Sequence, residues 1–117
     1  MLKIATFQNL TSDFTERVKI GGIEVSLRFA WNTKSEYWIL NEYKEIESGI
    51  IINAVKMVLN YPVLYQFSTN LKGQLTIFLQ DSSLSTDITY ESFGNGHNLF
   101  YLEEEEFELW KEANGFQ

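Results

Sequence analysis

The chain has no cysteine, one histidine and one proline in 117 residues. The missing cysteine excludes disulfides, thiolate metal sites and cysteine nucleophiles, so the fold has no need of an oxidising compartment. No apolar run approaches the ~20 residues of a membrane-spanning helix, so membrane insertion is not expected. Met1 to Asp13 contains one lysine and no apolar segment, and does not read as a secretory signal. Basic residues are scarce as well. Nine Lys and Arg stand against 16 Asp and Glu, for a net charge of −7 and a pI near 4.6. That balance argues against nucleic acid as the main partner, since phosphate contacts need a basic surface.

What the chain does have is aromatic bulk: nine Phe, six Tyr and three Trp, within a hydrophobic share of 44%. Intrinsic disorder needs low hydrophobicity and high charge, and is excluded. The length is that of one domain, able to bury roughly two-thirds of the surface its unfolded chain exposes. The acid is unevenly spread. Residues 1–90 are close to neutral, whereas residues 91–117 hold Lys111 alone against seven acids. A cationic partner surface, if there is one, would meet that end.

The clearest periodicity runs from Ile23 to Trp31, with apolar residues at every second position and Glu24, Ser26 and Arg28 between them. This predicts a strand with Val25, Leu27, Phe29 and Trp31 on its inner face. Phe14 to Ile20 alternates too, and Gly21-Gly22 links the two runs. Two glycines permit positive φ at both central positions of a primed turn, so residues 14–31 read as a β-hairpin. Tyr37-Trp38-Ile39-Leu40, apolar on both faces, reads as a central strand. Residues 49–58 read as one or two short strands, and Val63–Phe67 as a strand or a helical turn. Gln74 to Gln80 reads as a strong strand, Gly94 to Asn98 as a turn, and Asn98 to Leu102 as a last strand.

The end of the chain changes character. Glu103 to Gly115 has helix composition: four Glu open it, favoured by the helix dipole, and Gly115 suits the C-terminal cap. Phe107 and Trp110, three apart, share a face. The expected fold is mainly β: one small antiparallel β-sandwich or partly open barrel of seven or eight short strands over residues 1–102, then an acidic helical extension over 103–117.

Candidate chemistry is thin. His97 lies between turn residues and reads as an exposed loop histidine; alone, it cannot build an ordinary zinc site. A Ser/His/Asp arrangement has its parts but no local signature. Four consecutive acids at 103–106 point around a helix, so at most two converge on a cation, and a solvated helix start is expected instead. No phosphate-binding or dinucleotide motif is present. Trp31, Tyr37 and Trp38 would cluster at one bend, and are read as core packing ahead of a carbohydrate platform. Trp110, on an acidic surface helix, is the aromatic best placed as a contact residue. No catalytic, metal or cofactor site is therefore assigned. Glu103, Glu104, Phe107 and Trp110 are the candidate interface residues.

The order of motifs resembles the small baseplate plug proteins of contractile-tailed bacteriophages, the family typified by cyanophage baseplate plugs. That pattern has a Gly turn and an alternating strand ending Leu-x-x-x-Trp-Asn, here Gly21-Gly22 and Leu27 to Asn32. An aromatic-led strand follows, here Trp38-Ile39-Leu40-Asn41, then a glycine with an apolar run, Gly49-Ile50-Ile51-Ile52. Next come a Gly-x-Leu strand, Gly73-Gln74-Leu75, and a Gly turn with Leu-x-Tyr, Gly94 and Leu99-Phe100-Tyr101. The likeness covers about residues 14–102. Two positions depart from it: the turn before the aromatic strand usually has Gly, where this chain has Ser35-Glu36, and Asn41 stands where an acid is common.

The resemblance implies a structural virion protein without enzyme activity, located in the phage tail baseplate after assembly in the host cytoplasm. It implies a plug at the central axis where hub, spike and tail tube meet, built as a ring of identical copies. Those copies would touch their neighbours through sheet edges and the C-terminal segment. Two other classes compete: a carbohydrate- or host-surface-binding β module, and a small hydrolase using His97.

Overall fold

The computed structural model describes residues 1–4, 6 and 12–116. Its strands are β1 (Leu2–Ile4), β2 (Asp13–Ile20), β3 (Ile23–Asn32), β4 (Tyr37–Glu45), β5 (Ile51–Lys56), β6 (Gln74–Leu79) and β7 (His97–Leu102), followed by helix α1 (Glu104–Asn114). All strand pairs are antiparallel. They form two separate sheets, β2-β3-β4-β5 and β1-β7-β6, so the fold is a sandwich and not a closed barrel. Residues 63–66 form turns, and residues 49–58 contain one strand.

The β2–β3 hairpin forms as its alternation dictates. Gly21 and Gly22 take φ of 55° and 80°, the positive values a primed two-residue turn requires. Val25, Leu27 and Phe29 are fully buried, and Trp31 is half-buried at the end of the strand. β4 is central, between β3 and β5. Its buried positions are Trp38 and Leu40, then Tyr43 and Glu45. The break in parity has a local cause: Arg28 pairs with Glu42 but Phe29 pairs with Leu40, leaving Asn41 as a bulge. One extra residue shifts the inward face by one position.

The main core lies between the sheets. Val25, Leu27, Phe29, Trp38, Leu40 and Tyr43 meet Ile4, Leu75, Ile77, Leu99 and Tyr101 there. A second cluster of Phe100, Leu102 and Phe107, bordered by Phe78, Trp110 and Phe116, lies on the other face of β1-β7-β6, under α1. Every residue of β7 is consequently buried. Gly73 lets the chain enter β6 close against β7, since a Cβ there would meet the Leu102 carbonyl oxygen at 1.9 Å.

The sheet edges are blunted. β1 is three residues long. β6 is flanked by residues 59–63, whose Asn60 and Val63 N–H groups donate to the Ile77 and Leu75 carbonyls. β5 holds Ala54 in the left-handed region at φ 57°. β2 places half-buried Glu16 between Phe14 and Val18 on its inward face. Short edges, irregular backbone and inward charge all oppose strand addition.

Candidate functional site

The acidic run forms the helix start that its composition dictates. The Glu103 backbone N–H donates to Glu106 Oε1 at 3.0 Å, and Glu104, Glu105 and Glu106 occupy the positive end of the helix dipole. The Met1 ammonium also pairs with Glu106. That contact, with the Glu103 N–H, holds the Glu106 carboxyl below the ordinary carboxylate range. Gly115, at φ 62°, ends the helix by donating to the Lys111 carbonyl. Glu103 and Glu104 border a shallow depression with Gly21, Lys72, Tyr101 and Glu105.

Phe107 and Trp110 face the opposite way. Their rings stack at 5.8 Å and an interplanar angle of 15°. Phe107 is buried against Tyr65 and Phe116, while Trp110 is half-buried against Phe78 and Phe116. The four candidate interface residues thus fall into two groups. Two carboxylates point outward at the helix start, and two aromatic rings pack inward on the chain's own sheet. Exposed apolar residues near this end include Met1, Tyr61, Tyr65, Phe67 and Leu109.

His97 corrects an expectation. It is the first residue of β7 and 1% exposed, not an exposed loop residue. Nε2 lies 2.9 Å from the Ser85 carbonyl, which can only accept, so Nε2 carries the hydrogen. Nδ1 meets the Ser92 hydroxyl at 2.8 Å, and Ser92 Oγ in turn accepts from the Thr89 N–H. The histidine pins the 85–92 segment to the sheet. The turn flips the chain one residue earlier than its Gly-Asn-Gly composition indicates, and the ring follows strand parity inward.

Of the three aromatic residues read as core packing, only Trp38 lies in the core; Trp31 is half-buried against it and Tyr37 lies at its edge. Trp38 is fully buried and donates Nε1–H to the Thr89 carbonyl at 3.0 Å. Tyr90 stacks on it at 5.8 Å, and the Lys56 ammonium sits 4.8 Å from the Tyr37 ring centre. Trp31, Tyr37 and the 86–91 segment line an open cleft of about 770 Å³. One face of Trp38 is taken by Tyr90 and one of Tyr37 by Lys56, while Trp31 and Tyr90 also line the cleft.

Glu45 is the polar centre that sequence reasoning missed. It is 2% exposed. Oε2 accepts from Tyr43 Oη (2.7 Å) and the Asn70 N–H (2.9 Å); Oε1 accepts from Ser48 Oγ and Asn70 Nδ2 (both 2.7 Å). Burial pushes its pKa up, but the hydrogen bonds outweigh burial and hold the carboxyl below the ordinary value. Tyr43 is raised, by burial first and then by the neighbouring carboxylate. Only the Tyr-x-Glu spacing, following the parity shift at Asn41, would have pointed inward. The site ties the end of β4 to the approach to β6 and is structural. Among the described residues no group of three or more His, Asp or Glu is arranged to hold a metal ion. Among the described residues no helix is long and apolar enough to cross a membrane.

None of the curated proteins searched matches the chain. A family model does: the one described as cyanophage baseplate Pam3 plug gp18, over residues 1–105. The match takes in both sheets and stops two residues into α1. With nine-tenths of its length matched, the chain belongs to the cyanophage baseplate plug family, a structural family of the phage tail baseplate.

Proposed function

We propose that the protein closes the central axis of a contractile-tail baseplate, where hub, spike and tail tube meet, as a ring of identical copies and without catalytic activity. The observation that carries this reading is the family match across both sheets. The polar side chains support it. His97 and Glu45 are buried and committed to pinning loops, and neither opens on a cleft beside a second reactive group. A rigid sandwich with blunted edges suits a stopper, because it presents faces to its neighbours while resisting indefinite strand addition. Contacts between copies would run through those faces rather than through the blunted sheet edges, and Glu103 and Glu104 at the start of the 103–117 segment would meet Lys or Arg of a neighbouring tail protein. Folding in the host cytoplasm needs no disulfide chemistry, consistent with a chain free of cysteine.

The test is a cryo-EM reconstruction of intact tails of the phage that encodes the chain. The expected result is density for this sandwich on the tail axis, repeated by rotational symmetry. Density confined to the peripheral wedges, or none in the tail, refutes the axial reading.

A further inference from the structure

The outer face of the β1-β7-β6 sheet is poorly matched to what covers it. Gln74, Thr76 and Phe78 on β6 pair with Leu102, Phe100 and Asn98 on β7, so these six side chains share one face. Phe78, Phe100 and Leu102 meet the rings of Phe107, Trp110 and Phe116. The other three leave buried oxygens without a hydrogen-bond partner among the described residues: Gln74 Oε1, Thr76 Oγ1 and Asn98 Oδ1. Thr76 is fully buried and Asn98 is 4% exposed. A buried acceptor without a donor is costly, and native folds leave few of them. Here three lie on one face of two adjacent strands.

Two further features concern the cover itself. α1 follows β7 through Glu103 alone and takes part in no strand pair, so displacing it would break the Met1–Glu106 ion pair and the aromatic packing but no strand ladder. The family match ends at residue 105, before Phe107, Trp110 and Phe116. The helix that covers this face lies almost wholly outside the matched pattern.

We infer that this face is a docking surface for another tail protein, and that α1 is its placeholder before assembly. The fitting partner is a protein segment that alternates apolar side chains with Arg or Lys. The apolar groups replace Phe107 and Trp110 over Phe78, Phe100 and Leu102. The cationic groups donate to the three oxygens and meet the carboxylates of Glu103 to Glu106 at the rim. This rests on the reading of the chain as a baseplate plug and names the partner chemistry of its C-terminal site.

Two measurements on full-length protein test it. In the first, Phe78→p-benzoylphenylalanine is irradiated before and after tail assembly. The expected products are cross-links to the chain's own α1 in the purified protein, and to a different tail protein in assembled tails. Cross-links in tails that stay within the chain, or join two copies of it, overturn the inference. In the second, Thr76→Val replaces a lone hydroxyl by a methyl of the same shape. It should raise the melting temperature of the purified protein while lowering its incorporation against wild type by about tenfold, the equivalent of one lost charge-assisted hydrogen bond. Incorporation equal to wild type overturns the inference. Wild-type chain absent from tails overturns the plug reading itself, and this inference with it.

Discussion

Replacing Glu45 should separate two ways of losing a buried carboxylate. Glu45→Ala removes the acceptor for four donors at once and leaves the Tyr43 hydroxyl, the Asn70 N–H and the Asn70 amide facing a small cavity. Each buried donor left unpaired costs ~1–3 kcal/mol, so stranding several of them together should cost ~3–5 kcal/mol, a large part of the ~5–15 kcal/mol that holds a domain together. Glu45→Gln has nearly the same shape. The Gln NH₂ in the place of Glu45 Oε1 can donate to Ser48 Oγ, and to Asn70 once that amide flips; the Gln carbonyl oxygen in the place of Oε2 still accepts from Tyr43 and the Asn70 N–H. Only charge assistance is lost, at ~1–2 kcal/mol. Urea denaturation followed by tryptophan fluorescence gives both numbers, provided the slope m is unchanged. Equal losses in the two variants, or less than ~1 kcal/mol for Glu45→Ala, would refute the reasoning, because the hydrogen bonds would then be incidental.

The same carboxylate sets an acid dependence. Its folded-state pKa lies below its ordinary value of 4.5. Its contribution to stability is therefore complete above the unfolded pKa and is lost as pH falls through the folded one. In a pH series of urea midpoints, wild type should lose stability below about pH 4.5 more steeply than Glu45→Gln. Parallel curves would show that Glu45 is not the group titrating.

Three other outcomes follow. Glu36 takes φ of 56° in the turn before β4, a conformation disfavoured for residues with a Cβ, so Glu36→Gly should stabilise the fold by ~0.5–1 kcal/mol in thermal unfolding. His97→Ala should cost ~2–3 kcal/mol, from a cavity and the stranded Ser92 and Ser85 groups, and should speed amide exchange in residues 85–92 ahead of β3. Phe107→Ala should cost up to ~3 kcal/mol and reduce helical circular dichroism while the hairpin amides stay protected, because an 11-residue helix needs its docked face to persist.

The fold was legible where the hydrophobic pattern is local. Alternation from Phe14 to Trp31 and the Gly21-Gly22 link specify the hairpin together, because side-chain parity and turn geometry agree. β4 was legible only as far as Leu40. The bulge at Asn41 reverses parity, and Tyr43 and Glu45 then look like exposed positions of a polar run, although both are buried. Glu36 shows the converse. The departure from Gly at that turn is visible in the sequence, and the positive φ supplies its physical meaning.

The polar residues that organise the molecule were illegible for a single reason. His97, Glu45 and Thr76 each take their role from partners far along the chain or across a layer, and no local period encodes those partners. His97 depends on the carbonyl of Ser85, 12 residues away, and Glu45 on Asn70, 25 residues away. Thr76 reads as the solvent-facing member of an alternating strand, Leu75-Thr76-Ile77, which is what it would be on a two-layer sandwich. α1 packs a third layer on the neighbouring Phe78 and Phe100, Thr76 beside them is fully buried, and its hydroxyl keeps the polarity of a surface position. Local pattern and tertiary packing disagree there, as they tend to at functional surfaces, and that disagreement marks the face where α1 and an assembly partner would compete.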